Sequence, residues 1–179
     1  MEPEVLPAIL VKTRDELLSR IFQVHDLVRT IQIDVMDNVF VPNKTVGIEG
    51  LANPPHLPKN ARYEFHWMVK SPERWIGRIE GPHTHIVHVE TIDSESHFAD
   101  IRRTIQASGG RLALAINPET PLERAEPYIK YAKMVLIMTV HPGFSGQEYM
   151  REMGEKIKTL RAAHPKLDIE VDGGVNMET

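Results

Sequence analysis

Short apolar runs alternate with amphipathic segments along the chain. This alternation is typical of βαβ units, and it predicts a parallel sheet. By pattern alone it suits both a (β/α)₈ barrel and a doubly wound sheet. Seven of the apolar runs are predicted strands, near residues 4–11, 30–35, 62–68, 85–90, 111–116, 133–140 and 167–172.

Helix starts are marked by local signals between these runs. The segments Thr13-Arg-Asp-Glu16 and Thr120-Pro-Leu-Glu123 have the spacing of a capping box. Ser71-Pro72 puts proline at a first helical position. Later in the chain an apolar stripe at helical spacing predicts core packing, and its members are Met150, Met153, Ile157 and Leu160.

Two segments, 38–61 and 90–97, lack clear periodicity and are predicted to be loops. The first is long enough to be a lid or an active-site loop.

Composition narrows the class of protein. A chain of 179 residues with 41% hydrophobic content fits a single domain, residues 1–179, with one core. A formal charge of −4 gives no broad basic field for nucleic acid or an anionic membrane. Without cysteine, any metal site must use histidine and carboxylate, and the chain suits a reducing compartment. No apolar stretch approaches the roughly 20 residues that span a bilayer, so we expect a cytoplasmic protein.

Polar residues lie at the ends of several predicted strands. Alternate residues of a strand share one face, so Gln32 and Asp34 point the same way, as do Glu170 and Asp172. In a parallel barrel the carboxyl ends of the strands form one mouth, where catalytic residues gather. The residues that fall at such ends are Asp34, His66, His88, Glu90 and Asp172.

Two glycine-rich turns follow the last two predicted strands. Turns of this kind present backbone N–H groups to which a phosphate can bind. The predicted phosphate-binding residues are Gly143, Phe144, Ser145, Gly146, Gly173 and Gly174.

These motifs resemble the ribulose-phosphate 3-epimerase family, through IDVMDNVFVPN, EFHWMV, INPETPLE, MTVHPGFSGQ and EVDGGVN. The resemblance covers nearly the whole chain in order. It implies a (β/α)₈ barrel whose eighth βα unit is missing here, so that we expect a domain incomplete at its C-terminus. The implied activity interconverts D-ribulose 5-phosphate and D-xylulose 5-phosphate, a step of pentose phosphate metabolism. The implied partner is a small sugar phosphate, and a homo-oligomer is compatible with the sequence.

The resemblance also assigns roles to residues. Epimerisation next to a ketone needs two acid/base groups on opposite faces of the carbon, and Asp34 and Asp172 match the family's pair. The same aspartates and His66 match the family's ligands of one divalent metal ion, and the candidates are Zn, Mn, Fe, Co and Mg. The fourth family ligand is a histidine, where this chain has Gln32. An amide carbonyl can ligate a hard cation but is a poorer ligand than imidazole for zinc or iron. We therefore expect a site that prefers manganese or magnesium, or one that holds metal weakly.

Several of these residues also have ordinary interpretations. Asp172 before two glycines is a common turn residue, and a lone histidine such as His66 is often a core residue. Strand methionines are usually core filler. In the family they correspond to a polarisable wall beside the enediolate, here Met36, Met68 and Met138.

Further departures from the family leave two alternatives open. Val11 stands where a substrate-contacting serine is usual, and His141 replaces a common asparagine. One alternative is an epimerase of a related ketose phosphate. The other is a non-catalytic phosphate-binding barrel.

Overall fold

The computed structural model describes residues 3–47 and 57–179, so residues 48–56 of the predicted loop lie outside it. The described residues form one seven-stranded parallel sheet whose strands follow one another in sequence order. The strands are β1 (Ala8–Ile9), β2 (Thr30–Met36), β3 (Arg62–Met68), β4 (Thr84–His88), β5 (Arg111–Ile116), β6 (Met134–Met138) and β7 (Asp168–Asp172).

Five α-helices are described, all in the connections between strands. Short 3-10 turns lie at Val89–Thr91 and Leu122–Arg124. The helices are α1 (Arg14–Val24), α2 (Glu73–Ile76), α3 (Glu95–Ala107), α4 (Glu126–Ile129) and α5 (Met153–Ala163). None of the helices in the described ranges is long and apolar enough to cross a bilayer.

The sheet is curled as a barrel is. In a flat sheet β2 and β7 would lie about 24 Å apart, since neighbouring strands are about 4.8 Å apart. Instead, Gln32 Nε2 of β2 donates to Asp172 Oδ2 of β7 at 2.8 Å. A doubly wound sheet reverses its strand order at a switch point, whereas the order here runs from β1 to β7. The prediction of a barrel with seven of its eight units is therefore confirmed.

The curled sheet separates two apolar layers, because successive strand residues face opposite sides. Outward residues such as Phe65 and Trp67 pack with Ile21 of α1 and Ile101 of α3. Inward residues such as Ile86, Ala113 and Leu136 form a second cluster inside the barrel. Small alanines on β5 leave room there for larger neighbours.

Element boundaries differ from the prediction at three points. Strand β1 is two residues long rather than eight. Helix α3 begins inside the segment predicted as a loop, because the Ser94 side chain accepts from His97 N and caps the helix. The Thr13 capping box forms. At Thr120 no side-chain cap forms, since this side chain hydrogen-bonds to Glu90.

Candidate active site

The polar ends of the strands meet at one mouth of the barrel. Strands β2 and β3 pair in a register that sets Asp34 beside His66 and Met36 beside Met68. On the other side of the mouth, β6 and β7 set Met138 beside Asp172. Residues that are paired across a parallel sheet share a face, so all of these side chains are on the inner face.

Three predicted site residues form a compact cluster, although they come from β2, β3 and β7. His66 Nδ1 lies 3.2 Å from Asp34 Oδ1 and 3.5 Å from Asp172 Oδ2. The nitrogen and the two carboxylate oxygens all lie within 4.8 Å of one another. One imidazole and two carboxylates are donors that suit a divalent cation. These are the same three residues that the sequence analysis proposed as metal ligands.

Gln32 completes this cluster through its amide. Its Nε2 donates to Asp34 Oδ1 at 3.0 Å and to Asp172 Oδ2 at 2.8 Å, so the amide nitrogen bridges the two aspartates. Its carbonyl oxygen Oε1 is buried without a hydrogen-bond partner. An orphaned buried acceptor is costly. A half-turn of the amide would direct this oxygen at the point between the carboxylates.

Burial and proximity drive the pKa values of the two aspartates apart. Burial raises the pKa of Asp34, and the nearby Asp172 charge raises it further. Burial also opposes ionisation of Asp172, but the hydrogen bond and charge of His66 outweigh burial and lower its pKa. For His66 burial favours the neutral ring, yet the hydrogen bonds to both aspartates raise its pKa to about 9. The pKa values of the two carboxyl groups are thus shifted in opposite directions.

A second histidine and a glutamate extend from the cluster. His66 Nε2 lies 2.8 Å from His88 Nε2, and the two rings are stacked with centroids 5.0 Å apart. His88 Nδ1 lies 3.2 Å from Glu90 Oε2. Burial would raise the pKa of Glu90, but the hydrogen bond from His88 and other donors lower it to about 2. Glu90 is therefore an ionised acceptor.

A pair of glutamates lies one step deeper in the barrel. Glu64 pairs in register with Gln32, and Glu170 precedes Asp172 by one inward position. Burial raises the pKa of Glu170 to about 8, and the charge of Glu64 and a hydrogen bond to it add to this rise. The inward orientation expected for Glu170 is thus present, and its partner is Glu64.

The three predicted methionines are buried on the same inner face as the cluster. Met138 is paired with Asp172, and Met36 and Met68 lie two residues beyond Asp34 and His66. Met36 and Met68 pack together with Val41. Met138 belongs to the inner apolar cluster. Buried apolar side chains on this face lower the local dielectric constant around the carboxylates.

The two glycine-rich turns lie side by side. Gly143 and Gly146 have φ values of 132° and 77°, and Gly173 and Gly174 have φ values of 113° and 67°. These are left-handed conformations that favour glycine. The Thr139 hydroxyl donates to the Gly173 carbonyl at 2.6 Å and joins the turns. The predicted phosphate-binding residues are thus brought together at the ends of β6 and β7.

The segment after β2 lies over the mouth. Asp37 organises its turn, because its carboxylate accepts from the backbone N–H groups of Val39, Phe40 and Lys70 at 2.7–2.9 Å. The Phe40 ring is centred 4.9 Å from that of His88. Asn43 Nδ2 donates to the Gly143 carbonyl at 2.7 Å. The described part of the predicted active-site loop therefore contacts both His88 and a glycine turn.

The other two departures from the family motif have different surroundings. Val11 is partly buried and packs against the outer core, and its carbonyl accepts from Val46 N at 2.9 Å. His141 is exposed at the mouth and pairs with Glu119 at 2.5 Å. Neither residue contacts the carboxylate cluster through a hydrogen bond that the structure describes.

Comparison with known proteins agrees with this geometry. The model of the ribulose-phosphate 3 epimerase family matches residues 3–179. The chain belongs to this family. Curated family members include a cytoplasmic isoform of ribulose-phosphate 3-epimerase from Oryza sativa, 36% identical over 154 residues, and the Bacillus subtilis enzyme, 36% identical over 157 residues. Each alignment covers 83% of the chain, but 66% of the rice protein and 70% of the bacterial one. The chain thus spans about two thirds of these relatives.

Solved structures of other enzymes share the fold of this family member. The structure of 3-hexulose-6-phosphate synthase from Salmonella typhimurium matches with a TM-score of 0.69 and 13% identity, covering 97% of the chain and 80% of the synthase. Orotidine 5'-monophosphate decarboxylase from Methanocaldococcus jannaschii matches with a TM-score of 0.60 and 14% identity, covering 96% and 89%. At such identities the likeness concerns the barrel alone.

Two features of the site were not predicted from the sequence. The bridge from Gln32 to Asp172 joins residues 140 positions apart, and it exists only because the sheet curls. The contact of His88 with His66 depends on ring orientation. The available signal was their shared position at strand ends, which predicted that His88 and Glu90 lie near the mouth.

Proposed function

We propose that the protein interconverts D-ribulose 5-phosphate and D-xylulose 5-phosphate in pentose phosphate metabolism. The observation that carries this proposal is the meeting of Asp34 and Asp172, from β2 and β7, around His66. Family membership supports the substrate, because the relatives are named ribulose-phosphate 3-epimerases. The name of the rice relative supports a cytoplasmic location.

The two aspartates act as the acid and the base. One carboxylate takes the proton from C3 of the ketose, and the electron pair of the broken C–H bond forms the enediolate. The other aspartate, as a carboxylic acid, returns a proton to the opposite face of C3. Their roles exchange when the reaction runs in reverse. The opposite shifts of their pKa values agree with one proton shared by the pair.

The donor set fits one divalent cation. Asp34, His66 and Asp172 would hold it, and Gln32 would add its carbonyl oxygen after a half-turn of the amide. The buried Oε1 without a partner supports this fit. A cation there would supply the positive charge that stabilises the enediolate. An amide oxygen and two carboxylates favour manganese or magnesium over zinc.

The glycine turns bind the phosphate in this proposal. Their left-handed residues Gly143, Gly146, Gly173 and Gly174 leave backbone N–H groups free of side-chain obstruction. The buried methionines form an apolar wall beside the reacting carbons. The segment with Phe40 and Asn43 covers this space and excludes water.

An assay of the wild-type protein tests the proposal. We expect conversion of D-ribulose 5-phosphate that is lost on chelation and restored by Mn²⁺ or Mg²⁺. Faster turnover of a six-carbon ketose phosphate would identify the related-epimerase alternative. Binding of the sugar phosphate by calorimetry, without conversion under Mn²⁺, Mg²⁺, Zn²⁺, Co²⁺ or Fe²⁺, would identify a non-catalytic barrel and refute the proposal.

A further inference from the structure

A series of three side chains leads away from the cluster into the barrel wall. His66 presents Nδ1 to Asp34 and Asp172, and its Nε2 lies 2.8 Å from His88 Nε2. His88 presents its other nitrogen, Nδ1, to Glu90 at 3.2 Å. Both imidazoles are fully buried, so these contacts replace contacts with water. We refer to His66, His88 and Glu90 as the histidine series.

The proton positions in the histidine series follow from its last member. A carboxylate only accepts hydrogen bonds, so His88 carries its proton on Nδ1. A neutral His88 then has a bare Nε2, which accepts a hydrogen bond from the Nε2–H of His66. Without a cation, Nδ1 of His66 also carries a proton, because it faces two carboxylates that only accept hydrogen bonds. A bound cation would displace this proton and use the Nδ1 lone pair, while Nε2 keeps its own proton.

The opposite arrangement is disfavoured by the same geometry. If a neutral His66 carried its single proton on Nδ1, two bare Nε2 atoms would face each other at 2.8 Å in a buried site. An unpaired buried acceptor costs about 1–3 kcal/mol, and here there would be two. The position of Glu90 therefore decides which nitrogen of His66 is available.

Other contacts hold the Glu90 carboxylate in its position beside His88. Its Oε1 accepts from Asn117 N at 2.8 Å, at the end of β5. The Asn117 carbonyl in turn accepts from Lys156 Nζ at 3.0 Å, which fixes the β5 loop to α5. The carboxylate is thus held from one side by backbone while its other oxygen faces His88.

We propose that Glu90 is a positioning residue that acts through His88 to keep His66 in its Nδ1-ligating tautomer. This inference rests on the proposed function, because it assumes that a cation binds between His66 and the aspartates. Under this proposal, cation binding requires Glu90 in addition to the residues of the cluster. The metal site depends on a carboxylate two hydrogen bonds away from it.

The substitution Glu90→Gln tests the proposal because it reverses the direction of hydrogen-bond donation along the histidine series and keeps the contact of residue 90 with the backbone. The glutamine carbonyl can still accept from Asn117 N, and its amide then donates to His88 Nδ1. His88 must carry its proton on Nε2 and donate it to His66, whose own proton moves to Nδ1. We expect Mn²⁺ affinity, measured by calorimetry, to fall about 10- to 100-fold. The matched control, Glu119→Gln, removes an exposed carboxylate near the mouth and should keep wild-type affinity.

Nitrogen NMR of labelled histidine gives a readout that a merely structural role would not move. In wild type without metal, His88 should be protonated on Nδ1, and in Glu90→Gln on Nε2. The double variant Glu90→Gln/His88→Gln supplies a new carbonyl acceptor for His66 and should recover most of the Mn²⁺ affinity. A fold defect caused by Glu90→Gln would persist in the double variant, so recovered affinity would exclude such a defect.

An unchanged His88 tautomer in Glu90→Gln, or Mn²⁺ affinity within twofold of wild type, would overturn the proposal. Failure of the proposed function has a different signature. In that case the wild-type protein binds no divalent cation, while the tautomer of His88 still reports on Glu90.

Discussion

At the scale of single residues, Gln32 distinguishes this site from the family motif. Its Nε2 bridges Asp34 and Asp172 and so satisfies the two carboxylates as a cation would. A cation must therefore compete with these hydrogen bonds before the amide can turn. Imidazole is the better ligand for zinc and has no such bridging amide.

The substitution Gln32→His should accordingly raise Zn²⁺ affinity by at least about tenfold. Residues that only hydrogen-bond to metal ligands already change metal affinity by that much. Competition with a chromogenic chelator measures the change. Gln23→His, on the exposed face of α1, controls for adding a surface histidine. Equal Zn²⁺ affinity in wild type and Gln32→His would show that position 32 does not contact the cation.

The sequence predicted that Asp34, His66 and Asp172 lie at one mouth of the barrel, but not how they contact one another. Asp34, His66 and Asp172 could be found because each lies at the end of an apolar strand within a motif. The amide bridge and the His66–His88 contact could not, because they depend on sheet curvature and on ring rotation. Those are properties of packing rather than of local sequence.

At the scale of elements, Lys156 ties helix α5 to the loop after β5. Its Nζ donates to the carbonyls of Asn117, Pro118 and Thr120 at 3.0, 2.6 and 2.8 Å. The same loop carries the N–H that holds Glu90. One ammonium group thus fixes a connection that supports the mouth.

Replacement of this lysine, Lys156→Met, should lower the free energy of unfolding by about 1.5–3 kcal/mol, the range for hydrogen bonds from a charged group. Urea denaturation measures it. Lys158→Met is the matched control two residues along, because Lys158 is exposed and pairs with Glu155 of its own helix. The control should change stability by no more than about 0.5 kcal/mol. Similar losses in both variants would contradict this role.

Element prediction succeeded where periodicity was strong and failed at local caps. The ends of strands β2 to β7 were predicted to within two residues, because each strand is an apolar run bounded by polar turns. The start of α3 was missed because its first turn is polar, so the apolar periodicity begins only at Phe98 and continues with Ile101 and Ile105. The serine cap was the signal that could have located it.

At the scale of the whole molecule, stability depends on a buried neutral histidine outside the site. His85 faces the outer core, where Trp67 Nε1 donates to its Nδ1 at 3.1 Å. Its Nε2 is buried without a partner. Burial lowers the pKa of His85 to about 3, well below its usual value near 6.5.

Because the folded-state pKa is depressed, the contribution of His85 to stability is present above about pH 6.5 and lost as pH falls. Between about pH 6.5 and 3 the unfolded chain binds a proton that the folded protein does not. Wild type should therefore lose about 2 kcal/mol more than His85→Gln between pH 7.5 and 5. Glutamine keeps an acceptor for Trp67 but cannot be protonated.

Urea unfolding at several pH values measures this difference. A His85→Gln variant whose stability falls as steeply as that of wild type would contradict the assignment of a neutral His85.

The central claim is that Asp34 and Asp172 move protons at C3 of a pentulose phosphate. It is tested most directly by deuterium uptake at C3 of D-ribulose 5-phosphate in heavy water with Mn²⁺. We predict uptake in wild type and in Asp168→Asn, whose aspartate is exposed at the opposite end of β7. Asp34→Asn and Asp172→Asn should each exchange at least about 100-fold more slowly. Equal uptake in wild type and Asp172→Asn would contradict the account.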